Sequence, residues 1–196
     1  MKTIAIIPAK GHSNRLKNKN RYLLFDKPLI AYTIEQAKKS KHIDEIYVST
    51  EDEHLKRISL ELGVKVIDRP RSLSEDTYEN DFFGKQRVVE HALSVLAEKP
   101  DIVCLLQANS PQIKAEKIDE AIAKLLDPNK RVWQCFSLNE KTLFTDGAIR
   151  AFKTRCIQDV GLDMYLSVVF TDYVDVHTIE DIEQLKVLMH NEDNNL

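Results

Sequence analysis

The chain has 196 residues, of which 43% are hydrophobic and 30% are charged, and its formal net charge is −3. This length suits a single domain, residues 1–196, and the small negative charge gives no overall reason to expect binding to nucleic acid. Three cysteines without C-x-x-C spacing argue against a disulfide framework, and no apolar run approaches the length of a membrane span. We therefore expect a cytoplasmic protein that does not bind membranes.

Strand-like and helix-like segments alternate along the chain. Short apolar runs predict strands at 3–8, 45–49, 64–67 and 101–106. Apolar residues spaced as on one helix face follow at 29–37, 55–62, 88–96, 118–125 and 179–189. Residues 132–137 and 145–149 are further strand candidates in a segment, 132–171, whose pattern is harder to interpret. The alternation predicts an α/β fold with a mostly parallel, twisted sheet and helices on both faces.

The loop after the first predicted strand concentrates positive charge. Positions 10 to 27 contain six Lys or Arg and one acid, a charge of +5, so the remainder of the chain carries −8. Gly11 permits a tight turn that exposes backbone N–H groups, Ser13 adds a hydroxyl, and Lys10, Arg15 and Lys19 can surround a polyphosphate. Ligands of open α/β sheets bind beyond the carboxyl ends of strands. This position therefore favours phosphate binding over a merely solvated charged loop.

The loop resembles that of the sugar-acid cytidylyltransferases, the family of CMP-N-acylneuraminate and CMP-KDO synthetases. It contains neither the Walker pattern G-x-x-x-x-G-K-[ST] nor the dinucleotide pattern G-x-G-x-x-G. Further segments resemble the family in the same order: Lys27–Glu35, Val48–Asp52, Arg69-Pro70 with Asp76-Thr77, Leu105–Pro111, Thr145–Ile149 and Asp175–Asp181. The resemblance implies a Rossmann-like nucleotidyltransferase fold. It also implies an enzyme that transfers CMP from CTP to a sialic, legionaminic or pseudaminic type of sugar acid and releases pyrophosphate.

The resemblance also implies roles for individual residues. The catalytic cations are expected to be Lys10, Arg15 and Lys19. The residues expected to bind the nucleotide are Ala9, Gly11, Ser13, Asn20, Arg69 and Asp76, and those expected to bind the acceptor are Gln107, Asn109 and Ser110.

A metal site is expected where the family has Asp-x-Asp and this chain has Asp175-Val176-His177. On a strand, the side chains of Asp175 and His177 would point to the same face. Carboxylate oxygen suits Mg²⁺, whereas imidazole suits Mn²⁺ or Zn²⁺ better. We therefore expect Asp175 to bind Mg²⁺ and His177 to contact a metal-bound water, with Mn²⁺ as the alternative ion.

Several departures from the family pattern leave alternatives open. Lys10 stands where these enzymes have Arg, and Asn14 stands where the sialate enzymes have a catalytic Lys. Only 13 residues separate Trp133 from Gly147, which leaves little room for the family's acceptor region and dimer arm, so a homodimer is an open expectation. The alternatives are a cytidylyltransferase for KDO-like or smaller acids, and a nucleotide-binding homologue without catalytic activity.

Overall fold

A computed structural model describes residues 1–75, 82–157 and 165–193 and shows a central seven-stranded sheet. The strands, in chain order, are β1 (Thr3–Pro8), β2 (Leu23–Leu24), β3 (Lys27–Pro28), β4 (Glu45–Thr50), β5 (Lys65–Asp68), β6 (Ile102–Leu106), β7 (Gln134–Asn139), β8 (Thr145–Lys153) and β9 (Leu166–Thr171). β2 and β3 form a separate hairpin, and the other strands are arranged in the order β5-β4-β1-β6-β8-β7-β9.

The helices connect these strands as the apolar spacing predicted. They are α1 (Leu29–Lys39), α2 (Glu53–Glu61), α3 (Ser72–Glu75), α4 (Phe82–Val95), α5 (Ala115–Leu126) and α6 (Ile179–Asp193), with 3₁₀ turns at Lys19–Arg21 and Thr154–Ile157. None of the helices in the described part of the chain has the length and apolar character needed to cross a membrane.

The sheet is mostly parallel, as predicted, with β8 as the reversed strand. β5, β4, β1 and β6 pair in parallel, β8 is antiparallel to both β6 and β7, and β9 is parallel to β7. The chain passes outward from β1 to β4 and β5 and then returns to the other side of β1 with β6. Loops that follow β1 and β6 therefore diverge at this point, which is where open α/β sheets form a ligand crevice.

Helices cover both faces of the sheet, which confirms the predicted layers. Alternate residues of β1 point to opposite faces, so Ala5 and Ile7 join a buried cluster with residues of α1 and α5. Ile4 and Ile6 join a second cluster with residues of α4.

A third buried cluster lies at one edge of these layers and joins distant parts of the chain. It contains apolar residues of the basic loop, of β2, of the start of α1 and of α6, together with one residue of the segment before α6: Leu16, Leu24, Leu29, Val176, Ile182 and Leu185. Burial of each such side chain is worth about 1.5–3 kcal/mol. The basic loop is therefore packed against α6 and is not merely a solvent-exposed loop.

The interpretation of Asp175–His177 as part of a strand is wrong. The last strand ends at Thr171, and residues 172–177 have no regular secondary structure before α6 begins at Ile179. Single hydrogen bonds hold this segment: Val174 N–H donates to Oε1 of Gln112 at 2.9 Å, and Val176 N–H donates to the carbonyl oxygen of Asn109 at 3.1 Å.

Candidate functional site

A cleft of about 320 Å³ opens at the crevice between the ends of β1 and β6. Its described lining combines cations of the basic loop with polar residues from four other segments: Pro8, Lys10, Arg15, Lys19, Asn20, Arg69, Lys85, Val88, Leu105, Gln107, Asn109, Asp175 and His177. Five of these residues are Lys or Arg, whereas Asp175 is the carboxylate among them. This charge balance suits a ligand that carries several negative charges.

The start of the basic loop is fixed to the neighbouring strand. Ala9 N–H donates to the carbonyl oxygen of Ser49 at 3.0 Å, which extends the β1–β4 pairing beyond the end of β1. Gly11 N–H then donates to Oε1 of Glu51 at 2.8 Å. A Cβ at Gly11 would overlap the side chain of Asp52, so glycine is required here for close approach.

The end of the same loop is fixed by a second set of contacts. Asn20 Nδ2 donates to the carbonyl oxygen of Lys10 at 3.0 Å and so joins the two ends of the loop. Asn18, in the left-handed region at φ 56°, leads into the 3₁₀ turn Lys19–Arg21. With Leu16 buried in the third cluster, the loop has a defined shape, which keeps its cations beside the cleft.

Positive charges crowd around Lys19. Burial lowers the pKa of its ammonium; nearby Asp175 opposes this shift, whereas Lys10, Arg15 and Lys85 add to it. Four cations therefore act on the same small volume, and their mutual repulsion has an electrostatic cost. A bound polyphosphate would relieve this repulsion because each added negative charge is attracted by all of them.

Glu51 connects the loop to the segment after β5. Arg69 donates to Oε2 of Glu51 from Nη2 at 2.8 Å and from Nε at 3.3 Å, and Ser74 Oγ donates to the same oxygen at 2.6 Å. Burial alone would raise the pKa of this carboxyl, but hydrogen bonds from Ser74, the Gly11 backbone and Arg69 lower the pKa to about 2. Arg69 lines the cleft, yet these two guanidinium nitrogens serve to fix Glu51.

Asp175 and His177 meet at the cleft even though their backbone is irregular. His177 Nε2 lies 2.8 Å from Oδ2 of Asp175, and His177 Nδ1 lies 3.5 Å from Nζ of Lys19. Because the lysine ammonium can only donate, Nδ1 is the accepting nitrogen and Nε2 carries the proton toward the carboxylate. Asn109 Nδ2 donates to Oδ1 of Asp175 and, at 2.8 Å, to the carbonyl oxygen of Val176. Asn109, predicted to bind the acceptor, thus holds Asp175 in place.

The start of α6 holds the same segment from its other side. Oδ2 of Asp181 accepts hydrogen bonds from the backbone N–H groups of His177 at 2.7 Å and Thr178 at 2.8 Å. Thr178 Oγ1 accepts in return from the N–H of Asp181 at 3.4 Å, as in a capping box. The cap therefore fixes the position of His177 as well as the first turn of the helix.

The donor set at Asp175 can be compared with the needs of Mg²⁺. Within residues 1–75, 82–157 and 165–193, no group of three or more His, Cys, Asp or Glu could hold a metal ion. Protein sites for Mg²⁺ commonly use one or two carboxylates, with substrate phosphates and waters as the other ligands. One carboxylate beside a cationic, phosphate-sized cleft therefore fits an ion that arrives with a nucleotide.

Gln107 lines the cleft and lies beside Gly147. Gln107 N–H donates to the carbonyl oxygen of Ala148 at 3.0 Å, and Thr33 Oγ1 donates to the carbonyl oxygen of Gln107 at 2.9 Å. Gly147 has φ +68°, and a Cβ there would overlap Nε2 of Gln107 and lie 3.4 Å from Nζ of Lys85. The backbone conformation therefore favours glycine at 147, whereas the nearby ends of the Gln107 and Lys85 side chains are flexible.

The structure brings most of the sequence-predicted site residues to this cleft. Nine of them line it: Lys10, Arg15, Lys19, Asn20, Arg69, Gln107, Asn109, Asp175 and His177. Ala9 and Ser110 are fully buried and do not line the cleft, nor do Gly11 and Ser13. Asp76 lies outside the described residues.

The cleft also contains residues that the sequence analysis did not select. Lys85 lies on the inner face of α4, three residues before the buried Val88. A lysine on an otherwise apolar helix face is the sequence signal that indicates such a residue. Glu51 was part of a recognised segment, but its role depends on Arg69 and Ser74, which no local pattern relates to it.

Sequence comparisons match this chain to one family. A family model described as cytidylyltransferase matches residues 4–196. The chain is 34% identical over 130 residues to a pseudaminic acid cytidylyltransferase of Campylobacter jejuni, which is 64% of this chain and 54% of that protein. It is 38% identical over 121 residues to an N-acylneuraminate cytidylyltransferase of Escherichia coli, 62% of this chain and 27% of that protein. The chain thus spans about half, or less, of the length of these relatives.

Two solved structures share the fold. A CMP:2-keto-3-deoxy-manno-octonic acid synthetase solved with CTP superposes with a TM-score of 0.74 at 17% identity, over 98% of this chain and 100% of that one. A cytidylyltransferase from Leptospira borgpetersenii superposes with a TM-score of 0.68 at 17% identity, over 95% of this chain and 85% of that one. These similarities confirm the predicted nucleotidyltransferase fold.

The charged network around Glu51 leads to a prediction about stability and pH. Because its pKa in the folded protein is about 2 and its ordinary value is 4.5, Glu51 stabilises the fold fully above about pH 4.5. This contribution, about 2–3 kcal/mol, is lost as the pH falls from 4.5 toward 2. Glu51→Gln should lower the free energy of unfolding at pH 7 by this order and reduce its dependence on pH in that window.

Urea unfolding at several pH values measures both effects, with Glu61→Gln as the control because the side chain of Glu61 is 68% exposed. Equal stability curves for the two variants would contradict the role given to Glu51.

Proposed function

Because the chain belongs to the cytidylyltransferase family, we propose that it transfers CMP from CTP to a sugar acid of the sialic, legionaminic or pseudaminic type and releases pyrophosphate. The observation that carries the proposal is the convergence of Lys10, Arg15 and Lys19 on a cleft at the ends of β1 and β6. Relatives named for pseudaminic and N-acylneuraminic acid, 34% and 38% identical, support this class of acceptor. A relative named for 3-deoxy-manno-octulosonate, from Thermodesulfovibrio yellowstonii, matches at 32%.

The departure from the family at Asn14 does not remove positive charge from the cleft. Asn14 is exposed and does not line the cleft, whereas its neighbour Arg15 does. Lys10 likewise lines the cleft and keeps its charge, although it lacks the two-pronged geometry of arginine. These positions support a catalytic protein over a homologue that only binds nucleotide.

In the proposed reaction the protein positions the two substrates and stabilises negative charge with its cations, and it forms no covalent bond to either substrate. An acceptor hydroxyl oxygen bonds to the α-phosphorus of CTP while the bond from that phosphorus to the bridging oxygen breaks. Pyrophosphate leaves, and the hydroxyl proton is released as the new bond forms. Negative charge grows on the phosphoryl oxygens and on the leaving group, where Lys10, Arg15 and Lys19 are placed to stabilise it.

The proposal includes Mg²⁺, held by Asp175 together with the nucleotide phosphates. When bound, the ion neutralises phosphate charge and orients the leaving group. His177 touches Asp175 at 2.8 Å and suits a contact to a metal-bound water better than direct ligation. The proposal also includes a cytoplasmic location and a homodimer, the first supported by three free cysteines and the second by the family resemblance.

Nucleotide choice is the first expectation to test. A ligand that binds only the folded state raises its melting temperature according to its concentration and affinity. We expect CTP to raise the melting temperature more than ATP, GTP or UTP at equal concentration and with equal Mg²⁺. Differential scanning fluorimetry measures the shifts, and equal shifts for all four nucleotides would contradict the cytidylyl assignment.

Lys19 should be needed for turnover. Removing one charge that stabilises the transition state costs about 2–4 kcal/mol, so Lys19→Ala should lower kcat by about two orders of magnitude. Lys17→Ala is the matched control, because Lys17 belongs to the same loop but is exposed and does not line the cleft. Pyrophosphate release from CTP with the sugar acids measures both variants. Equal kcat values for them would show that the loop cations act only as a solvated surface.

Asp175 should matter more for metal dependence than His177. Asp175→Asn removes the charged oxygen ligand and should nearly abolish Mg²⁺-dependent turnover, whereas Asp172→Asn, exposed in the same segment, should change little. His177→Asp adds a second carboxylate and should lower the Mg²⁺ concentration at half-maximal activity. Titrating Mg²⁺ and Mn²⁺ in the pyrophosphate assay gives both answers. Wild-type activity in Asp175→Asn would argue against the proposed site, and an unchanged titration in His177→Asp would place His177 outside it.

A further inference from the structure

The two edges of the central sheet differ in how they are protected against pairing with another chain. β5 forms one edge, and its four residues begin with Lys65 and end with Asp68. β9 forms the other edge, and its six residues, Leu166–Thr171, include no charged residue, proline or glycine. Charged residues, proline and a very short strand are common devices that keep an edge from pairing. β9 has none of these devices, so its edge is suited to receive another strand.

Alternate backbone groups of β9 point away from the sheet. The carbonyl oxygens of Tyr165 and Thr171 accept hydrogen bonds from backbone N–H groups of residues that flank β7. Because this direction alternates along a strand, the N–H and C=O groups of the even-numbered residues of β9 point outward. Lys124 Nζ donates to the outward carbonyl oxygen of Val168 at 2.5 Å, and that oxygen has a second lone pair for another donor. Within the described ranges, no strand pairs with this outer edge.

The side chains of the same even-numbered residues form an apolar row on one face of the sheet. Val169 belongs to the buried cluster that contains the apolar residues of α5, so Leu166, Val168 and Phe170 point to the opposite face. Leu166 is 59% exposed and Phe170 is 49% exposed. An exposed apolar row beside outward backbone donors and acceptors is typical of an interaction surface.

A two-fold axis that passes through Val168, perpendicular to the sheet, makes this edge complementary to itself. An antiparallel second copy then places Val168 opposite the same residue of the partner, and Leu166 opposite Phe170 in both directions. Such apolar cross-strand pairs stabilise a sheet. Moving the axis by one residue, to Val169, would instead place Leu166 opposite Asp172. The arrangement centred on Val168 is therefore the one that pairs apolar residues with apolar residues along this row.

We propose that two copies of this chain pair antiparallel through β9, so that their sheets form one continuous sheet. This inference gives a surface to the homodimer that is part of the proposed function, and it does not depend on the reaction. The chain has little room for the family's dimer arm, whereas pairing through β9 needs no insertion. Pairing six residues of each copy buries roughly 1,000 Å² in total, near the lower limit for specific interfaces, so the dimer Kd should be about 1–100 μM.

Cysteine cross-linking tests the position of the axis. The residues opposite each other in this arrangement have Cα atoms about 5.5 Å apart, which is within reach of a disulfide. Val168→Cys should therefore form a cross-linked dimer under mild oxidation with copper phenanthroline. Leu166→Cys and Phe170→Cys should cross-link when the two variants are mixed, and neither should do so alone. The wild type, which reports on the native cysteines, and Val187→Cys, exposed on α6, are the controls and should remain uncross-linked on denaturing gels.

Charge substitutions test the same contacts without oxidation. Leu166→Lys and Phe170→Glu each place a charge opposite an apolar residue of the partner, so each should raise the dimer Kd at least tenfold in sedimentation equilibrium. A mixture of the two variants should associate nearly as well as the wild type, because the introduced lysine and glutamate then face each other. Both positions are exposed, so melting curves from circular dichroism should match that of the wild type.

The outcomes separate this inference from the proposed reaction. A wild type that stays monomeric above about 500 μM, well beyond the expected Kd, would overturn the surface and the homodimer together. A dimer that does not cross-link through Val168→Cys and is unaffected by both charge substitutions would overturn the surface alone. A dimeric wild type that releases no pyrophosphate from CTP with any of the sugar acids would overturn the proposed reaction alone.

Discussion

The Glu51 carboxylate accepts hydrogen bonds from three separate parts of the chain, and the shape of the cleft depends on these bonds. Gly11 comes from the loop after β1, Arg69 from the end of β5 and Ser74 from α3. Placing a carboxylate and a guanidinium together away from water is costly unless each is well bonded, and here the bonds are numerous and short. The same contacts orient the first turn of the basic loop, so the shape of the cleft and the stability of this edge of the sheet are coupled.

The second feature of the site is the concentration of positive charge around Lys19. Lys10, Arg15, Lys19 and Lys85 act on one volume, while the Asp175 carboxylate is held by Asn109 and His177. Like charges placed together repel one another, and they attract a polyanion more strongly than a single cation would. Because these cations repel one another, packing and hydrogen bonds must hold the loop in place. Leu16 supplies the packing, and the hydrogen bond from Asn20 to the Lys10 carbonyl oxygen joins the two ends of the loop.

The parts of the fold that local pattern determines could be predicted from the sequence. β1 and β6 are continuous apolar runs buried on both faces, and α5 has a clear apolar stripe, so both types of element were identified. β9 was not, because this edge strand exposes Leu166 and Phe170 and does not show the expected alternation. The expectation that Asp175–His177 lie on a strand was wrong, because an i, i+2 pair of polar residues does not show whether an extended segment pairs with a neighbouring strand.

The basic loop could be predicted as part of a candidate site because its charge is local in sequence, and the resemblance to a family added candidate residues from other segments, most of which line the same cleft. The resemblance did not show which of those residues hold other side chains of the cleft in position. Asn109 positions Asp175, and Arg69 fixes Glu51, through partners 66 and 18 residues away. Only the folded backbone brings such partners together, and Lys85 reaches the cleft for the same reason, from a helix on the opposite face from α1 and α5.

The third apolar cluster has a consequence for the order in which the protein becomes functional. Leu16 of the basic loop packs in the same cluster as Ile182 and Leu185 of α6, a separation of more than 160 residues along the chain. During synthesis, the sheet from β1 to β6 can pair before α6 exists, but the loop cannot acquire its final packing until α6 has left the ribosome. A nascent chain in which β1 and β6 have already paired therefore still lacks the final packing of this loop, and with it the final shape of the cleft.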